Sequence, residues 1–288
     1  MTSETSKTSN AHPRRRVLGG LLAAGTFTLT GAAATTASAT PRTGSGPRPT
    51  IVLVHGVFAD ASGWNETIAR LQKAGFPVIA PANPLRDLAG DSAYVSSVID
   101  TITGPVILVG HSYGGEVITN AGRGHANVKA LVYVGAFAPD EGESALQLAG
   151  MFPGSQLQGA LLTRPFPLPV PLPDGTRDGL DGYIDPAKFH DVFAQDLPPA
   201  TTRVMAAAQR PGSVGGLGAG SGVPAWKSLP SWFVIPTADN VIPPALQRFM
   251  AERAGSTTVE VKGASHVVMM SRPDVVVRQI LAAHRATV

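Results

Sequence analysis

Three observations place this chain in the α/β class, with a mainly parallel six-stranded sheet, helices on both faces and an inserted lid. Apolar runs rich in Val, Ile and Leu alternate with segments of helical spacing, and such alternation implies parallel strands joined by crossover helices. At residues 105–121 an apolar run, a Gly-Ser-Gly turn and a helix-like segment follow one another without a linker. Residues 138–230 then break the alternation with proline and glycine before it resumes.

In chain order, residues 1–39 read as an export segment rather than part of the fold. Arg14-Arg15-Arg16 precede a moderately apolar stretch diluted by Gly, Ala and Thr, and Ala37-Ser38-Ala39 forms a small-residue cleavage site. The arginines point to the twin-arginine route and hence to a secreted protein. No stable membrane anchor is expected, because the segment lacks the roughly 18 consecutive apolar residues of a spanning helix. Residues 40–49 read as a flexible leader, and residues 50–288 as one domain carrying the lid insertion at 138–230.

The formal net charge of +3 belongs to the export segment. Without Lys7, Arg14, Arg15, Arg16 and Glu4, the 23 basic and 20 acidic residues become 19 of each. With no Lys/Arg cluster after Arg48, a nucleic-acid partner is not expected. The absence of cysteine excludes disulfides, thiolate catalysis and Cys-ligated zinc. No cofactor or metal is expected either, since there is no H-E-x-x-H, no clustered His/carboxylate spacing and no Gly-rich phosphate loop. Oligomeric state is not legible.

The six expected strands are residues 50–55, 77–80, 105–109, 130–137, 232–236 and 258–261. Helical spacing marks residues 64–74, 93–103, 115–121, 244–254 and 273–286. Asp60 or Ser62 can cap the first helix, while Pro243-Pro244 and Pro273 suit the first turns of the last two. The interval 138–230 shows no good strand. Its run Arg164-Pro165-Phe166-Pro167-Leu168-Pro169-Val170-Pro171-Leu172-Pro173 is incompatible with a regular helix or a central strand, and two short helices are expected near 186–195 and 198–209. An insertion at the carboxyl edge of the sheet is where a lid over a site belongs. Phe152, Phe166, Phe193, Met205 and Trp226 favour a packed lid over a bare surface excursion.

Gly110-His111-Ser112-Tyr113-Gly114-Gly115 supplies the chemistry. A sharp strand-to-helix turn crowds the backbone, so Gly110 and Gly114 remove the Cβ atoms that would clash and leave Ser112 as the candidate nucleophile. A serine hydroxyl needs a base, normally a histidine oriented by a carboxylate. His266, after the last strand, is the candidate base; His55 and His111 flank tight turns and are read as orienting backbone. Asp239, at the turn after the strand at 232–236, is the favoured acid, with Asp140 or Glu141 as rivals. Attack on a carbonyl also needs two donors for the oxyanion. They are assigned to the backbone amides of Tyr113 and Val57. Phe58, Phe166 and Trp226 are the candidate substrate-binding residues.

Taken together, His55-Gly56-Val57-Phe58-Ala59-Asp60-Ala61-Ser62-Gly63-Trp64, the GHSYGG turn, Asp239 and Ser265-His266 resemble the α/β-hydrolase superfamily. The likeness is to its compact branch of plant methyl esterases and hydroxynitrile lyases. It implies the α/β-hydrolase fold and a Ser112–Asp239–His266 triad under the lid. The lyases carry a threonine where Gly56 stands and a lysine where Val267 stands, and dehalogenases of this fold carry an aspartate at Ser112. Those departures leave ester hydrolysis through an acyl-serine intermediate, on a small uncharged ester. The alternatives are a cofactor-free perhydrolase or haloperoxidase, and a non-catalytic ligand-binding protein on the same fold.

Overall fold

The computed structural model describes residues 47–171 and 174–288. The expected export segment and residues 40–46 of the expected leader lie outside the described residues.

Strand β1 (Thr50–Val54) is buried at its last four residues. It leads through a 3₁₀ turn, Ala61–Trp64, into α1 (Asn65–Lys73), and Asp60 accepts the Ser62 amide at 2.8 Å. After β2 (Val78–Ile79), α2 (Leu88–Asp100) starts five residues before the expected 93, because the Asp87 carboxylate caps it by accepting the Gly90 amide. β3 (Val106–His111) is buried throughout and turns directly into α3 (Tyr113–Ala121). β4 (Val128–Val134) ends before the expected 137: the Phe137 amide leaves the ladder to donate to the Ser112 carbonyl at 3.1 Å.

Between β4 and β8 lie α4 (Ala145–Ala149), β5 (Leu161–Pro167), β6 (Asp178–Ile184), α5 (Phe189–Phe193), α6 (Pro199–Ala208), β7 (Gly212–Ser213) and α7 (Val214–Leu217). The chain then returns with β8 (Ser231–Pro236), α8 (Pro244–Arg253), β9 (Thr257–Val261), α9 (Val268–Ser271) and α10 (Pro273–Thr287).

The main sheet has six strands in the order β2-β1-β3-β4-β8-β9, all parallel. The chain runs outward from β1 to β2 and then reverses to β3, β4, β8 and β9. Right-handed crossovers in opposite directions put α1 on one face and α2, α3 and α8 on the other. The reversal places the ends of β1 and β3 side by side at the switch point, where α/β sheets bind ligands. This is the α/β-hydrolase fold.

The expectation of no strand within 138–230 is wrong. Residues 161–167, including Pro165 and Pro167, pair antiparallel with β6, which pairs in turn with β7. β5 is the edge of this second sheet, so the missing proline N–H groups cost it no neighbour on the outer side. The prolines hide the period-two signal, and Gly179, opposite Phe166, leaves room for the ring. The two short helices expected here correspond to α5 and α6.

Candidate active site

Ser112 sits where β3 breaks into α3, with φ 56° and ψ −126°. Positive φ is strained for a residue with a Cβ and is held in place only by its surroundings. Those surroundings are backbone: a Cβ on Gly110 would meet the Gly114 carbonyl, and one on Gly114 would meet the Val54 carbonyl of the neighbouring strand. The turn is therefore clamped between α3 and β1.

At the same carboxyl edge of the sheet, His266 follows β9 and Asp239 follows β8. His266 Nδ1 donates to Asp239 Oδ2 at 2.8 Å. The other carboxylate oxygen accepts the amides of Val241 (2.7 Å) and Ile242 (2.9 Å), and Oδ2 also accepts Gln247 Nε2 at 2.8 Å. Four donors thus fix one buried carboxylate. With its proton on Nδ1, His266 presents a bare lone pair at Nε2, which is buried and has no partner among the described residues. Asp140 is occupied elsewhere: it pairs with Lys227 at 2.5 Å, and that contact holds its carboxyl below the usual range. Glu141 is exposed.

Both other histidines at tight turns orient backbone. His55 Nδ1 donates to the Gly56 carbonyl at 2.9 Å while Nε2 accepts the Asn83 amide at 3.1 Å. His111 Nε2 donates to the carbonyl of His266 at 3.0 Å. Burial lowers the pKa of each, strongly at His111, so both rings are neutral supports.

Among the described residues, neither the Val57 nor the Tyr113 amide donates to an internal acceptor. The neighbouring Phe58 amide, by contrast, is used, donating to the Arg210 carbonyl at 2.8 Å. The Tyr113 side chain points away, its hydroxyl donating to Asp91 at 2.9 Å. Burial and the Asp91 carboxylate raise its pKa.

The interval between β4 and β8 closes over these groups. Ser112 is 2% exposed and His266 0% exposed. Phe193 of α5 lies with its ring 5.1 Å from that of His266 and 6.2 Å from that of Phe58. Phe58 also lines a narrow, mainly apolar recess with Met205, Val267, Met269 and Met270.

Two of the expected substrate contacts, Phe166 and Trp226, meet cations of this chain. The Phe166 ring, on β5, carries the Arg86 guanidinium at 4.7 Å, and Arg86 is in turn paired with Asp181 at 2.9 Å. The Trp226 nitrogen donates to the Pro139 carbonyl at 2.9 Å, and its ring lies under Arg253 and Lys227. Both aromatics are engaged by cations of their own chain, a pairing decided by non-local packing. Gln247, which sequence reasoning passes over, is the added polar member of the site; its position one turn into the helix after Asp239 is the only signal for it. Among the described residues there is no cluster of His, Asp or Glu that could hold a metal ion, and no helix long and apolar enough to cross a membrane.

A sequence profile for the alpha/beta hydrolase family matches residues 51–279. A carbendazim-hydrolysing esterase from Nocardioides sp. (strain SG-4G) is 37% identical over 110 residues, 34% of this chain and 46% of that esterase, so the match spans about half its length. The alpha/beta hydrolase nvfD of Aspergillus novofumigatus is 24% identical over 81% of this chain and 95% of its own. Among solved structures, polyneuridine aldehyde esterase superposes with a TM-score of 0.70 at 21% identity, covering 82% of this chain and 99% of its own. A methylesterase from Arabidopsis gives a TM-score of 0.66 at 18% identity over 83% and 99%.

Proposed function

Because the chain belongs to the alpha/beta hydrolase family, we propose that it is a secreted serine esterase that cleaves small uncharged carboxylic esters through an acyl-serine intermediate. One observation carries this reading: the Asp239–His266 hydrogen bond of 2.8 Å, which leaves a bare, buried Nε2 on a ring 4.6 Å from that of His111, the residue before a serine held at φ 56°.

His266 Nε2 takes the Ser112 proton as Oγ attacks the ester carbonyl. Asp239 holds the ring in the productive tautomer and stabilises the imidazolium. The oxyanion rests on the Val57 and Tyr113 amides, the second at the positive end of α3. The imidazolium then protonates the leaving alcohol, and water deprotonated by His266 releases the acid. Ser112 and Nε2 are not hydrogen-bonded to each other in the structure; such contacts commonly tighten to about 2.6–3.2 Å in the substrate complex. The apolar recess beside Phe58 and the sealed site favour uncharged substrates.

The esterase names among the relatives support the reaction class, and the arginines of residues 1–39 support export. Purified protein, mixed with p-nitrophenyl esters of increasing acyl length, is expected to release a stoichiometric burst followed by turnover, with both lost in Ser112→Ala. Binding without a burst would leave a ligand-binding protein in its place. N-terminal sequencing of protein recovered from the medium is expected to begin at Thr40.

A further inference from the structure

The segment following α5 touches both loops that carry the proposed acid and base. Gln195 Nε2 donates to the carbonyl of Ala238, the residue before Asp239, at 2.5 Å. Next to it, Asp196 Oδ2 accepts the amide of Ser265, the residue before His266, at 3.0 Å. One turn earlier, the Asp191 carbonyl accepts Asn240 Nδ2 at 2.9 Å, so the Asp239 turn is gripped on both sides. At their bases the two loops join directly, Ala238 N donating to Ala264 O at 3.0 Å. Besides the Asp239–His266 hydrogen bond itself, adjacent residues of the inserted segment bridge the two loops.

The geometry points to Gln195 and Asp196 as positioning residues: a two-residue strut that sets the distance between the acid loop and the base loop. This rests on the acyl-serine reading above. A hydrogen bond between groups on separate loops holds its length only if both backbones are fixed, and neither Asp239 nor His266 lies in a helix or strand. Asp196 fixes the His266 backbone from one side and His111 from the other. Gln195 does the same for the Asp239 turn. The inserted segment is therefore built into the catalytic machinery as well as covering it.

The test compares Asp196→Ala, Asp196→Asn and Gln195→Met with the unaltered enzyme on a p-nitrophenyl ester, rates being normalised to active sites titrated by the acyl burst. Asp196→Ala is expected to lower kcat about tenfold, since small misplacements of reacting groups are costly, while KM changes by less than about twofold. Asp196→Asn keeps an acceptor for the Ser265 amide and is expected to recover most of the rate. Gln195→Met, acting on the other loop, lowers kcat in the same direction and decides the matter if Asp196→Ala does not fold. A merely structural role would lower the melting temperature or the titre of active sites and leave the normalised kcat in place, overturning the assignment. So would a loss confined to KM, or an Asp196→Asn as slow as Asp196→Ala. If Ser112→Ala is inactive while Gln195→Met and Asp196→Ala match the unaltered enzyme, the strut alone falls. If Ser112→Ala turns over normally, the acyl-serine reading falls and takes the strut with it.

Discussion

The rings of His111 and His266 lie 4.6 Å apart, and His111 Nε2 donates to the main-chain carbonyl of His266 at 3.0 Å. The residue before the candidate nucleophile thus holds the backbone of the candidate base, which ties the elbow to a loop 155 positions away in sequence.

His111→Leu leaves that carbonyl buried without a donor and is expected to cost about 1–3 kcal/mol in urea unfolding at neutral pH. Burial holds the His111 pKa well below 6.5 in the folded protein. Its stabilising contribution is therefore complete above about pH 6.5 and is lost as the pH falls toward the depressed folded value. A pH series of unfolding midpoints is expected to fall less steeply with acid in His111→Leu than in the unaltered protein.

Asp239→Asn keeps the shape of the turn but reverses the hydrogen bond to His266, favouring the tautomer with its proton on Nε2. Loss of kcat by about 10³- to 10⁴-fold is expected in steady-state ester hydrolysis. Gln247→Leu removes one of the four donors on the same carboxylate, and a smaller drop of about tenfold or less is expected.

Glu116 lies one turn into α3 with its side chain buried, and burial raises its carboxyl well above the ordinary 4.5, with only the Ala145 amide acting the other way. A raised acid keeps its proton to higher pH in the folded protein than in the unfolded chain. Its contribution is full below about pH 4.5 and is lost as the pH rises through the folded value. Glu116→Gln cannot ionise, so its advantage over the unaltered protein in thermal melts is expected to grow from acid toward alkaline pH. Equal melting temperatures across that range would refute it.

Gly114→Ala places a Cβ against the Val54 carbonyl of β1. The turn would have to shift by more than a side chain can absorb, and destabilisation of about 1–3 kcal/mol is expected in denaturant unfolding, with lowered kcat for the fraction that remains folded.

How much of this was legible follows from which signals are local. Each strand of the main sheet announces itself by its own apolar run, and the GHSYGG turn marks Ser112 by glycines within three residues. Asp239 and His266 were found by their place after strands, and the structure puts them 2.8 Å apart. The boundary errors at α2 and β4 came from single contacts, the Asp87 cap and the Phe137 amide, that no periodicity encodes. The arginine contacts of Phe166 and Trp226 were not legible, because an aromatic residue looks the same in sequence whether it faces a substrate or an arginine.

The sequence by itself determined the parallel sheet, the strained serine turn, and the order of the candidate serine, acid and histidine, because hydrophobic period and glycine sterics act over a few residues. Only the tertiary structure decided which carboxylate meets His266, that a proline-rich stretch pairs as an edge strand, and that Gln195 and Asp196 bridge two distant loops. Those outcomes are hydrogen bonds between segments far apart in the chain, chosen by the packing of the whole and written into no single stretch of it.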